Sequence, residues 1–70
     1  MDNEIDNLII TIRNISDGKN VHTRNKSVFY LQWFKDNNSF SKLSKLIELC
    51  KKSITTSDWK DVNNYLRPLW

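Results

Sequence analysis

A chain of 70 residues with one cysteine has no disulfide to hold it together, so its stability has to come from packed side chains. No Cys-x-x-Cys pair and no Cys/His cluster points to structural zinc. Three Trp, three Phe and two Tyr supply the large apolar areas that such a core needs. Self-association or a partner is the other source of stability open to so short a chain.

The apolar spacing is mostly helical. Ile5, Leu8, Ile9, Ile12 and Ile15 predict a helix over 3–16, with Gly18 at the C′ position that ends it. The β-branched run Leu8-Ile9-Ile10-Thr11-Ile12 and the turn pair Asp17-Gly18 leave a β-hairpin strand as the alternative there. Residues 18–26 are polar and aperiodic and read as a basic loop. Ser27 is placed to cap a helix over 28–36, whose apolar residues wrap most of its circumference and predict deep burial. A third helix over 40–52 carries Phe40, Leu43, Leu46, Ile47 and Cys50 on one face. Residues 53–57 read as a linker. A last helix over 58–67, capped by Thr56 or Ser57, turns Trp59, Val62, Leu66 and Leu69 inward, and Pro68 closes it. The expected architecture is one all-α domain over 1–70, a bundle of three to four short helices.

Catalysis finds little support. His22 falls in the basic loop, and Cys50 falls on the apolar face of its helix, where a small buried hydrophobe is the usual occupant. One glycine cannot build a phosphate-binding loop. The carboxylates Asp58 and Asp61 fit the first turn of the last helix. No enzyme activity and no cofactor is expected. No apolar run approaches the roughly 18 residues that span a bilayer, so no membrane partner is expected. The start Met1-Asp2-Asn3-Glu4 is acidic, unlike a secretory signal, and with the lone cysteine it predicts a cytoplasmic setting. The chain is rich in Asn and Lys and has no Ala, the mark of an AT-rich gene of the kind that bacterial phages and mobile elements carry.

Charge points to binding. The net charge of +3 is uneven: residues 1–18 carry Asp2, Glu4, Asp6 and Asp17 against Arg13, and the remainder is strongly basic. An acidic head on a basic body predicts an internal charge match or two partner faces of opposite sign. On the third helix, Lys42, Lys45 and Lys52 project opposite the apolar stripe, with Leu49 among them. A solvated face is the simple reading. The sharper one makes Lys42, Lys45, Leu49 and Lys52 a partner-binding patch with Leu49 as its apolar anchor. Ile10 is similarly off the stripe of the first helix. Residues 40–67 also read as a helix-turn-helix, in which Lys60, Asn63, Asn64 and Arg67 would contact DNA. Asp58 and Asp61 would oppose phosphates in that arrangement.

From Tyr30 the chain resembles the Hha/YmoA family of small nucleoid-associated regulators. The resemblance runs through Tyr30-Leu31, Phe34-Lys35 and Ser39-Phe40-Ser41-Lys42-Leu43-Ser44-Lys45-Leu46-Ile47-Glu48, then Ile54-Thr55 and Asp58-Trp59. It implies a helical, non-enzymatic protein that binds the N-terminal dimerisation domain of H-NS-like silencers and modulates transcription. Of the family's acidic positions on this helix, Glu48 is kept, and Ser41 and Ser44 stand at the others. Two further functions fit the same composition: a DNA-binding regulator, and a small inhibitor, immunity or anti-defence protein of a mobile element. The first helix, with Ile5, Leu8, Ile9 and Ile12, either closes the core of one chain or forms the seam of a homodimer.

Overall fold

The computed structural model describes residues 2–69, with side chains from Asn3 onward. Four helices follow one another: α1 (Asp2–Arg13), α2 (Val21–Asp36), α3 (Phe40–Thr56) and α4 (Lys60–Leu66), with a 3-10 turn, η1, at Arg67–Leu69. The all-α bundle is as expected, and residues 2–13 are helix, not strand. The α2–α3 hairpin is central. α1 packs on one side of it and α4 on the other, and α1 and α4 do not meet.

Every helix buries one stripe. Ile5, Leu8 and Ile12 come from α1, Leu31 and Phe34 from α2, Leu43, Leu46 and Cys50 from α3, and Val62 and Leu66 from α4, with Trp59 just ahead of it. Several boundaries differ from the expected ones for identifiable reasons. α1 stops at Arg13, before the expected 16, and Gly18 does not terminate it: no glycine has a positive φ. α2 begins at Val21, inside the expected loop, because its core stripe is continued by polar residues. Arg24 and Ser27 are both buried, at helical spacing ahead of Leu31 and Phe34. Ser27 is therefore no cap. Its hydroxyl donates to the Arg24 carbonyl at 2.7 Å inside the helix.

Arg24 orders the segment between α1 and α2. Its guanidinium donates to the carbonyls of Ile15, Asp17 and Lys19 at 2.8, 2.8 and 2.9 Å. Three backbone acceptors of an irregular turn are thus satisfied by one side chain, which replaces the water they would otherwise need. α3 likewise overruns its expected end at 52 and continues to Thr56. Ser53 extends its buried stripe, and the Thr55 and Thr56 hydroxyls turn back onto the carbonyls of Lys51 and Lys52, each at 3.1 Å. Ser57 then ends α3 in the left-handed conformation, φ 61°, and donates its N–H to Ser53. Asp58, not Ser57, serves the start of α4: its Oδ1 accepts the Lys60 N–H at 3.0 Å.

The acidic head meets the basic body within the chain. Glu4 pairs with Lys51, Asp6 lies 3.9 Å from Lys35 and Asp17 lies 3.6 Å from Arg24. The Lys51 ammonium, by its hydrogen bond and its charge, holds the Glu4 carboxyl below its ordinary pKa.

Candidate functional site

The feature that stands out is the outer face of α2. A helix that is apolar on most sides should be buried on most sides. Here one side is not: Phe29 is 58 % exposed and Trp33 46 % exposed, one turn apart. The expected deep burial of 28–36 is corrected accordingly. Leu31 and Phe34 face the core, and none of the described helices covers the opposite side.

This surface is tied firmly to the core. Phe29 meets Tyr30 edge-on at 5.1 Å between ring centroids, and Tyr30 lies 6.4 Å from Trp33 and 5.6 Å from the buried Phe34. The Tyr30 hydroxyl donates to the Leu69 carbonyl at 2.8 Å. The aromatic ridge is therefore held in place before any partner arrives.

A hollow lies on each side of the ridge. Toward α1, a groove of about 620 Å³ runs between the ridge and Ile9 and Ile10, with Asp6, Asp36 and Arg13 at its rim. Ile10, the off-stripe residue of α1, is 55 % exposed there. Toward η1, a smaller hollow of about 270 Å³ is bounded by Tyr30, Trp33, Leu69 and Lys42.

The expected site residues are only partly brought together. Lys42, Lys45 and Lys52 are exposed on α3, as their projection predicts. Lys42 borders the aromatic hollow, whereas Lys52 lies 3.7 Å from Asp61. Leu49 is no exposed anchor: it is half-buried and packs against the core. Two residues expected inward are found outside: Phe40, 58 % exposed at the first turn of α3, and Leu69, 38 % exposed in η1. On α4 and η1, Lys60, Asn64 and Arg67 are exposed at spacings that share one face, and Asn63 is half-buried. Asp61, turned to Lys52, and Asp58, turned to the α4 backbone, are both engaged within the chain.

Cys50 is fully buried, and burial pushes its thiol up to about 12, against a smaller opposite pull from the Ser27 hydroxyl. A thiol that is protonated and enclosed at neutral pH is a poor nucleophile. His22 is exposed on the first turn of α2, not in a loop. Among the described residues, no three His, Cys, Asp or Glu side chains gather where they could hold a metal ion. No helix among them is long and apolar enough to cross a membrane.

The sequence reasoning missed Phe29 and Trp33 as surface residues. The signal was present in Val28-Phe29-Tyr30-Leu31-Gln32-Trp33-Phe34: one helix with more apolar side chains than one core-facing stripe accommodates. Fold and surface together describe a small all-α bundle with a preformed aromatic ridge. No family model matches the chain, and neither a curated protein nor a solved structure matches it.

Proposed function

We propose that the protein is a non-enzymatic regulator that docks on another protein through the aromatic ridge of α2, with Lys42 and Lys45 favouring an acidic segment of the partner. The observation that carries this reading is the exposure of Phe29 and Trp33 beside a core that closes without them. Aromatic side chains of this kind are the usual energetic centres of protein interfaces, and charges at the rim mainly raise the rate and selectivity of encounter. The basic patch read from the sequence keeps Lys42 and Lys45, loses Lys52 to Asp61 and exchanges its anchor: Trp33 and Leu69 take the place given to Leu49.

The resemblance to Hha/YmoA proteins names the first partner to try, the N-terminal dimerisation domain of an H-NS-like silencer in a bacterial cytoplasm. Titration calorimetry of that domain should show binding that the Phe29→Ala/Trp33→Ala variant loses and Lys42→Glu weakens. No heat of binding at tens of micromolar removes that partner. A small inhibitor encoded by a mobile element would use the same ridge on a different target. A photo-crosslinking amino acid at position 33, used in cells, separates the two: a nuclease or toxin in the crosslink favours the inhibitor.

DNA binding is a second reading, supported by the shared exposed face of Lys60, Asn64 and Arg67 after the short turn Ser57-Asp58-Trp59. It requires duplex affinity that falls steeply with salt. A salt-independent or absent mobility shift would discard it.

A further inference from the structure

The α1-side groove has a property that the proposed docking function does not use: its charges are arranged so that the groove complements itself. α1 and α2 run antiparallel, since Asp6 near the start of α1 lies beside Lys35 near the end of α2. The groove thus has one end bearing Asp6 and Asp36 and another bearing Arg13. Seven residues of helix separate Asp6 from Arg13, a rise of about 10 Å. Between the ends lie Ile10, Phe29 and Trp33. Rotation by a half-turn about an axis through this apolar middle brings the acidic end of one copy onto the Arg13 of the other, twice.

The charges at both ends lack what such a partner would bring. Arg13 makes no ion pair among the described residues. Asp36 is the last residue of α2, at the negative end of the helix dipole, where an acid is out of place. It accepts a hydrogen bond from Gln32 at 3.0 Å, and none of the ion pairs seen among the described residues includes it. Asp6 is partly served by Lys35 at 3.9 Å, which leaves Asp36 as the acid that gains most from an incoming guanidinium.

We propose that this groove is the interface of a two-fold symmetric homodimer, with Ile10 and the α1-facing sides of Phe29 and Trp33 packed across the axis, Arg13 of each copy paired with Asp36 of the other, and the η1-facing sides of the two aromatics left to the docking partner. An isologous contact of this kind closes on itself and leaves no repeating sticky face. The two η1-side hollows then lie on one dimer as a symmetric pair, suited to a partner that is itself two-fold symmetric.

Sedimentation velocity of the full chain from 1 to 200 µM tests it. The mass should climb from 8.4 kDa toward twice that value, with a dissociation constant on the order of 10 µM, as fits a small interface. Arg13→Glu and Asp36→Arg should each weaken the dimer at least tenfold, and the two substitutions combined in one chain should restore it. All four side chains changed here, including Phe29 and Trp33 in the double alanine variant, are exposed, so circular dichroism should show each variant folded. A single-chain mass at every concentration overturns the proposal. A dimer indifferent to these substitutions, or one that the charge swap fails to restore, overturns it as well by placing the contact elsewhere. Either of these results leaves the docking of a different protein on the ridge to be judged by its own titration.

Discussion

At the residue scale, the least expected contributor is Arg24. It lies among polar residues that look like loop, yet it is buried and ties three carbonyls of the α1–α2 segment to α2. Arg24→Ala strands those acceptors and should destabilise the fold by roughly 2–4 kcal/mol, read from the denaturant midpoint. Arg24→Lys should recover little, because an ammonium cannot reproduce the fork that reaches three oxygens. Glycine chemistry is inverted in this chain. Gly18 has no positive φ and open space around the position of a Cβ, whereas Ser57 sits at φ 61°. Gly18→Ala should raise stability by about 0.4–1 kcal/mol through the unfolded chain, and Ser57→Gly by about 1 kcal/mol through relief of left-handed strain. Cys50 should resist thiol reagents in the native state and react only as fast as the bundle opens. Its folded pKa is raised above the unfolded value of about 9, so the stability it contributes is complete below pH 9 and is lost as pH climbs toward about 12. Chemical denaturation between pH 8 and pH 11 reads that loss.

At the scale of single elements, α2 separates function from folding on its two sides. Phe34→Ala empties a core position and should cost about 3–5 kcal/mol. Phe29→Ala/Trp33→Ala removes larger side chains from the opposite side and should cost well under 1 kcal/mol, close to surface substitutions elsewhere. Thermal unfolding of the two variants makes the comparison, and equal losses would mean that the ridge belongs to the core. α1 is joined to α3 through Glu4 and Lys51, and this contact has a pH signature. The Glu4 pKa lies below its unfolded value, so the contact supports the fold above that value and is lost as pH falls through the folded one. Glu4→Gln should flatten the acid limb of the stability profile. α4 has only 7 residues, about two turns, and leans on Trp59, Val62 and Leu66. Its amides should be the first of the four helices to exchange with solvent, since local opening follows the number of buried apolar anchors.

At the scale of the whole molecule, four helices enclose a core and still leave an aromatic surface open. The backbone measures 31 × 27 × 16 Å, a slab in which a helix has neighbours on some sides and solvent on others. A second copy bound at the α1–α2 groove would make the melting temperature rise with protein concentration, by mass action on the folded state. A melting temperature that stays constant between 2 and 200 µM would fit a monomer.

The reach of the sequence differs from element to element. By itself it determined the helices and most of the core, because Ile5, Leu8, Ile12, Leu43, Leu46, Cys50, Trp59, Val62 and Leu66 recur at helical spacing and burying a periodic stripe is a local property of the chain. It also determined which charges stand outside, as with Lys42, Lys45 and Lys52. Tertiary structure alone decided the extension of α2 through Val21–Lys26, since the residues that hold that turn in place, Arg24 and Ser27, are polar and are buried only because loop carbonyls and the core arrive beside them. It alone decided that Leu49 packs inward while Phe40 stands in solvent. It alone made a surface of Phe29 and Trp33. Periodicity states which side chains share a face, but whether a second layer covers that face depends on where the other helices pack, and none of the described helices packs there.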